Sequence, residues 1–401
     1  MPIIVQKYGG SSIETIEKIR NVAKRIGERK EKGFDLVVVV SAMGKTTDYL
    51  IEMAHQVSHK PKKREMDVLM STGEQVSISL LSIALNDIGI AAVSYTGPQL
   101  GIKTEGYHTK SRISEIDKDV ILNAVNKGKV VIVAGFQGVN GNNEITTLGR
   151  GGSDTTAVAI AAKLNCPCEI YTDVDGIYTV DPRVYPSARK LESISYDEML
   201  ELASSGAGVL HTRSIEMAEI YNVTLTVALN TGDIQGTIIK ELDSTMEKTA
   251  ITGLAVDNSE SMITLNGVPH DIKVVADIFD KIAKLDINID MISQTTPINK
   301  LVSISFTLPK TDLPQAINIL EQFKEKIFTF SYDTFNNISK LSVIGIGMKS
   351  QSGVASKMFN ILAENDISVH IITTSEIKIS YVINPEDQQK AIEAVAREYN
   401  L

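Results

Sequence analysis

Two runs constrain the fold more than anything else in the chain: LVVVV at Leu36–Val40 and VVIVA at Val130–Ala134. A strand that is apolar at every position has to be covered on both faces, which marks a parallel sheet sandwiched between helices. The neighbouring sequence supplies such helices. After Ile3–Val5 and a glycine-serine turn, apolar residues recur at Ile13, Ile16, Ile19, Ala23 and Ile26, one face of a helix. Leu80–Leu85 and Ala157–Leu164 fit further helices, and Ile170–Thr172 another strand. Alternation of this kind over the first two-thirds predicts an α/β domain with a mainly parallel open sheet.

The last third repeats itself. MITLNGVPHDIKVVADIFDKIAKLDINIDMI aligns without gaps to SVIGIGMKSQSGVASKMFNILAENDISVHII at an offset of 80 residues, pairing Gly267 with Gly347 and Phe279 with Phe359. Each copy reads strand, turn, amphipathic helix, strand. Two copies are too few for a solenoid and suit a pseudo-symmetric pair of small α+β modules. A polar, linker-like stretch at 239–252 separates the parts. The expected division is 1–245, 246–335 with the linker, and 336–401.

Composition narrows the partners. Net charge is −9, from 49 acidic and 40 basic residues, which argues against nucleic acid or an anionic membrane. HKPKKRE at 59–65 reads as a solvated loop. MPIIVQKYGG has neither the basic nor the apolar region of a signal peptide. Cys166 and Cys168 flank Pro167 with no second pair and no nearby histidine, so a zinc site is not expected. The chain reads as cytoplasmic and disulfide-free.

Three stretches carry chemistry. Lys7 ends the first strand ahead of Tyr8-Gly9-Gly10-Ser11-Ser12. Ligands of open α/β sheets bind beyond the carboxyl ends of strands, where glycine admits an anion to the backbone and lysine adds a point charge. The spacing fits neither a Walker A loop nor GxGxxG, and a plain turn with Ser12 as helix N-cap is the bland alternative. In TLGRGGSDTTAVAIAAKL, Thr147–Leu164, Arg150 stands among glycines before Ser153 and Asp154. The last two suit a helix cap, while a guanidinium at a helix mouth suits a carboxylate. In TDVDGIYTVDPR, Thr172–Arg183, either the aspartates and Gly176 merely build turns or the loop holds a nucleotide, with Tyr178 against the base and Arg183 on phosphates. An EF-hand is excluded, since its twelfth position falls on Val184.

Together VQKYGGSS, VVVVSAMGKTTD, STGEQ, TLGRGGSDTTA, YTDVDGIYTVDPR and SYDEMLELASSGAGVLH resemble the aspartokinases of the amino-acid kinase family. The repeat, through GMKSQSGVASKMF and TTSEIKISYVI, resembles that family's tandem ACT modules, which are ferredoxin-like. The resemblance covers essentially the whole chain. It implies transfer of the γ-phosphoryl group of ATP, with Mg2+, to the β-carboxylate of L-aspartate. The product is 4-phospho-L-aspartate, the entry to lysine, threonine and methionine.

Site roles follow from the same resemblance. It implies that Lys7 neutralises the transferring group while Gly9, Gly10 and Ser11 cradle phosphate oxygens. Thr47 and Glu74 contact aspartate, Glu74 through the ammonium. Arg150 grips a carboxylate with Ser153 beside it, and Asp154 orients Lys7. Ser41, Thr172, Asp173, Tyr178 and Arg183 line the ATP pocket; no magnesium ligand is named. Feedback by lysine or threonine is implied, with Asp271 and Gln294 as effector contacts. The ACT modules are expected to pair into an eight-stranded sheet in a homodimer or a dimer of dimers.

Some positions depart from the family pattern. Gly208 stands where many relatives carry a nucleotide-binding lysine, TVALNT at Thr226–Thr231 lacks an arginine–serine pair, and Lys273 takes a glycine position in HDIK. Two other readings share the motifs: a glutamate-directed amino-acid kinase and a non-catalytic amino-acid sensor. Lys7, Glu74, Arg150 and Asp154, all retained, weigh for the enzyme.

Overall fold

The computed structural model describes residues 1–231, 234–242 and 249–401, and shows two compact units. The first holds Met1–Ile177, Lys190–Ala203 and the chain from Gly208 through the strand Thr237–Ile239; the second holds Tyr178–Arg189, Ser204–Ala207 and the C-terminal part. The boundary expected at 245 lies outside the described residues.

The first unit is organised by an eight-stranded sheet. Its order is Ser193–Ile194, Thr237–Ile239, Leu225–Leu229, Cys168–Thr172, Ile3–Tyr8, Asp35–Val40, Val130–Ala134, Ala92–Tyr95. Only the Leu225–Leu229 and Thr237–Ile239 pair runs antiparallel. Register puts Tyr8 opposite both Val40 and Tyr171, and Val40 opposite Ala134. The strands therefore end level with one another. The chain leaves the central strand Ile3–Tyr8 toward one edge and later returns on its other side, which creates a crevice at that level end.

Both expected apolar strands are fully enclosed: residues 36–40 and 130–134 are all buried. The helix Ile16–Glu31 covers them through Ile19, Val22, Ala23 and Ile26, although Ile16 points to solvent. Its N-cap is Thr15, whose hydroxyl oxygen accepts the Lys18 N–H at 3.2 Å. Ser12 is not the cap, because Gly10–Ile13 first form a tight 3-10 turn. The HKPKKRE run is only partly loop, since the helix Lys63–Met70 opens inside it.

The stretch Lys63–Asp87, 25 residues, is long and apolar enough by composition to cross a membrane. Its Ile78, Leu81 and Leu85 pack instead into the same core as Val38 and Ile132, as a core helix does. A second, four-stranded sheet, ordered Arg112–Glu115, Lys103–Glu105, Gln137–Val139, Ile145–Thr147, carries the loop 106–111 and the turn 148–151.

In the second unit the repeat becomes two four-stranded sheets. One is ordered Ile292–Gln294, Leu301–Pro309, Glu260–Pro269, Ser331–Phe335, with the helices Ile272–Ala283 and Leu313–Lys324. The other is ordered Gly253–Asp257, Ser339–Ile344, Lys378–Ile383, Val369–Thr374, with Val354–Glu364 and Gln388–Tyr399. The second copy thus receives its fourth strand, Gly253–Asp257, from ahead of the first copy. Lys340 is 1% exposed and lies 3.0 Å from Glu260, 2.6 Å from Asp290 and 3.7 Å from Asp257.

Candidate active site

A cleft of about 1290 Å³ opens at the level end of the large sheet, lined entirely by the first unit. Lys7, the penultimate residue of the central strand, enters from below, its side chain 11% exposed. Its Nζ lies 2.7 Å from Asp154 Oδ1. Asp154 sits in the first turn of the helix Gly152–Leu164. Neither Ser153 nor Asp154 caps that helix: the N-cap is Gly151, in the left-handed region at φ 67°, without a side-chain capping bond. Asp154 faces the strand end instead.

The turn after the first strand packs tightly on the segment after the second. A Cβ on Gly10 would meet the Ala42 carbonyl oxygen at 2.7 Å, and the Gly44 N–H bonds to the Gly10 carbonyl at 3.0 Å. This close approach requires glycine. It brings Ser41 and Thr47 to the cleft wall beside Lys7.

Glu74 arrives from the helix Thr72–Asp87 and is 2% exposed. Its Oε1 accepts the Ala42 N–H at 3.1 Å, whereas Oε2 is buried without a hydrogen-bond partner. Burial pushes the carboxyl up to about 8, against smaller lowering by backbone N–H groups. A carboxyl enclosed this way, with one oxygen unmatched, calls for a donor that can also be a cation.

Arg150 and Ser153 also line the cleft wall. The wall also contains residues that sequence reasoning missed: Lys110, Arg112, Phe136, His211 and Arg213. Arg213 donates to the carbonyls of Leu148 at 2.5 Å and Ser111 at 3.2 Å, tying the turn to the loop. Burial, and then the charge of Arg213, hold His211 below its ordinary value. A signal existed in the sequence: the motif ending GAGVLH runs straight on into Thr212-Arg213.

The other expected positions are placed differently. Gly9 and Ser11 belong to the strand-to-helix turn but do not line the cleft. Thr172 ends a neighbouring strand and donates its hydroxyl to Asp173 at 3.0 Å. Tyr178 and Arg183 lie on the segment that packs with the second unit, where Val180 shares a core with Leu254 and Tyr381. The Arg183 guanidinium is held 2.7 Å from Asp181. Asp271 caps the helix Ile272–Ala283 by accepting the Lys273 N–H at 2.9 Å, and Gln294 ends an exposed strand.

Known proteins match this arrangement along the whole chain. Residues 2–228 match the amino acid kinase family, and 263–323 and 341–399 match the ACT domain. Aspartokinase 2 of Bacillus subtilis is 48% identical over 100% of this chain and 98% of its own. Aspartokinase of Geobacillus stearothermophilus is 46% identical with the same coverage. The chain belongs to the aspartokinases of the amino acid kinase family.

Solved structures agree. The aspartate kinase from Synechocystis is 40% identical, matching 100% of this chain and 69% of that one with a TM-score of 0.55. The fold is shared with E. coli aspartokinase III in complex with aspartate and ADP, at a TM-score of 0.81 and 22% identity, over 98% of this chain and 99% of that one. Membership along the full length makes the chain an ATP-dependent kinase with a carboxyl acceptor and a C-terminal ACT pair.

Proposed function

We propose that the cleft aligns ATP and L-aspartate so that a β-carboxylate oxygen attacks the γ-phosphorus as the bond to the β-phosphate oxygen breaks. The products are 4-phospho-L-aspartate and ADP. The single observation that carries this reading is that Lys7, Arg150 and the half-satisfied Glu74 face one cleft. Glu74 Oε2 is the acceptor for the substrate ammonium, and Arg150 takes a carboxylate. Lys7, steered by Asp154, meets the transferring phosphoryl group. An aspartate side chain in water titrates at about 3.9, so the attacking carboxylate is already ionised at pH 7 and needs no general base. What the protein supplies is alignment of two anions and compensation of their charge.

A magnesium ion arriving with ATP would offset the charge of the phosphate oxygens. Among the described residues no trio of histidine, cysteine, aspartate or glutamate is grouped to hold a metal; magnesium would need only one or two carboxylates beside phosphate oxygens and water, and Asp154 is a carboxylate that lines the cleft. Thr172 and Asp173 stay with the nucleotide in this reading, together with Gly9 and Ser11. Lysine or threonine acts on the ACT modules at the Asp271 and Gln294 end, with a coupling of about 1–3 kcal/mol between sites. The enzyme works in the cytoplasm, as a homodimer or dimer of dimers, at the entry to lysine, threonine and methionine synthesis.

A steady-state assay with aspartate and ATP, titrated with lysine, threonine and both together, tests the reading. Aspartate-dependent ADP release inhibited by one or both amino acids is expected. Turnover of glutamate in preference to aspartate would replace the substrate, a discrimination for which one methylene supplies about 1–3 kcal/mol.

A further inference from the structure

We propose that Asp67, which lines no part of the cleft, is a positioning residue that sets the distance between the ammonium acceptor Glu74 and the carboxylate grip Arg150. The proposal rests on the assignment of Arg150 to a substrate carboxylate.

Asp67 lies on the helix Lys63–Met70 and is wholly buried. A carboxylate buried that far is costly unless its lone pairs are met. Here they are met from two places. Both oxygens accept the Thr109 N–H at 3.1 Å, and Nδ1 of His108 lies 2.7 Å from Oδ2. Oδ1 also accepts the Thr147 hydroxyl at 2.5 Å. Thr109 adopts φ 70°, which a threonine takes up only where its surroundings impose it.

The two partners flank the wall of the cleft. Thr109 lies within the loop 106–111 and lines the cleft next to Lys110, and Thr147 precedes Arg150 by three residues. The Ser111 N–H bonds to the Thr147 carbonyl at 3.0 Å, closing the loop onto the strand. On the other side, Ser71 ends the helix of Asp67 and begins that of Glu74. One buried carboxylate therefore joins the helix leading into that of Glu74 to the strand leading into the turn of Arg150. An amino acid presents its ammonium and carboxylate at a fixed spacing, so the receptor spacing has to be fixed as well. A misplacement near 1 Å costs on the order of a hundredfold in such sites.

The test measures KM for aspartate and for ATP, kcat and Tm in D67N, T147V and T147S, with R150Q as reference. D67N keeps the shape but removes the charge and turns one of the two acceptor oxygens into a donor NH2. T147V removes the hydroxyl, and T147S restores it. R150Q is expected to raise the aspartate KM and leave the ATP KM alone. D67N and T147V are expected to follow with rises of about tenfold and several-fold, ATP KM within about twofold, and recovery in T147S.

A native-like Tm with an aspartate KM unchanged in D67N, while R150Q raises it, would overturn the positioning role alone. An R150Q variant whose aspartate KM is normal would remove the Arg150 assignment and the proposal with it. If D67N fails to fold, the T147V and T147S pair decides. A merely structural role would lower Tm in T147V without moving its aspartate KM, and that result overturns the proposal.

Discussion

Lys7 Nζ stands 2.7 Å from Asp154 Oδ1, which joins the end of the central strand to the first turn of the helix that follows the Arg150 turn. Both side chains are nearly enclosed, so the pair is weakly screened. Removing one partner leaves the other charge buried and alone.

This pair gives the first prediction. K7A is expected to lower kcat by on the order of 10²–10³, the scale of losing one preorganised donor at the reacting group. It also strands Asp154, so Tm falls. K7A/D154N removes the stranded charge and is expected to regain most of the Tm but none of the turnover. Parallel thermal melts and steady-state kinetics separate the two effects, and near-normal kcat in K7A would take Lys7 away from the phosphoryl group.

Glu74 makes a prediction about pH. In the folded ligand-free enzyme its pKa, about 8, lies above the ordinary glutamate value of 4.5, so the folded chain binds the extra proton between those limits. Stability then falls as pH rises through that window, because the ionised form is opposed by burial. E74Q carries no such cost. Its Tm advantage over the unsubstituted chain is expected to be small at pH 5 and larger at pH 8, while its aspartate KM rises at least tenfold from loss of the ammonium's counter-charge. A Tm difference independent of pH would mean that Glu74 does not titrate in this range.

Much of this was readable from residue patterns. LVVVV and VVIVA could be nothing but enclosed strands, and the offset-80 repeat announced two similar modules. Arg150 among glycines marked a candidate ligand contact, and it lines the cleft. What the sequence concealed was set by distant partners. Nothing local to Asp154 says that it faces Lys7 rather than capping its own helix; that depends on the level ends of two paired strands. Tyr178 and Arg183 continue the motif of Thr172 and Asp173, and nothing in that motif shows that their segment groups with the core around Leu254 and Tyr381. Gly253–Asp257 precedes the first module in sequence but hydrogen-bonds along Ser339–Ile344 of the second.

Gly151 and Gly208 offer a contrast. A Cβ on Gly151 would lie 2.2 Å from the His211 Cβ, and the residue holds φ 67°. G151A is expected to lose about 2–5 kcal/mol, combining left-handed strain with overpacking, and to displace the Arg150 turn. A Cβ on Gly208 would meet nothing within 4 Å. G208A is expected to leave Tm within about 1–2 °C, in the range of neutral surface substitutions. Melting curves for the two variants check the pair, and equal losses would refute the geometry around Gly151.

Lys340 supplies the last prediction, in the second unit. The ammonium is enclosed, and burial by itself would lower its pKa; Glu260 and Asp290 more than reverse this, leaving it raised. It stays charged, and it joins the Ser339–Ile344 strand of one sheet to Glu260 and Asp290 of the other copy. K340M keeps most of the stem's packing but abandons two close carboxylates and a third at 3.7 Å. Breaking a buried pair in this way costs about 3–5 kcal/mol. Calorimetry of the full chain is expected to show the transition of the second unit moved to lower temperature in K340M. K340M/E260Q/D290N, which leaves no close carboxylate stranded, is expected to recover most of the shift. A K340M transition at the original temperature would mean that the carboxylates are already met by other partners, and that the lysine does not hold the two sheets together.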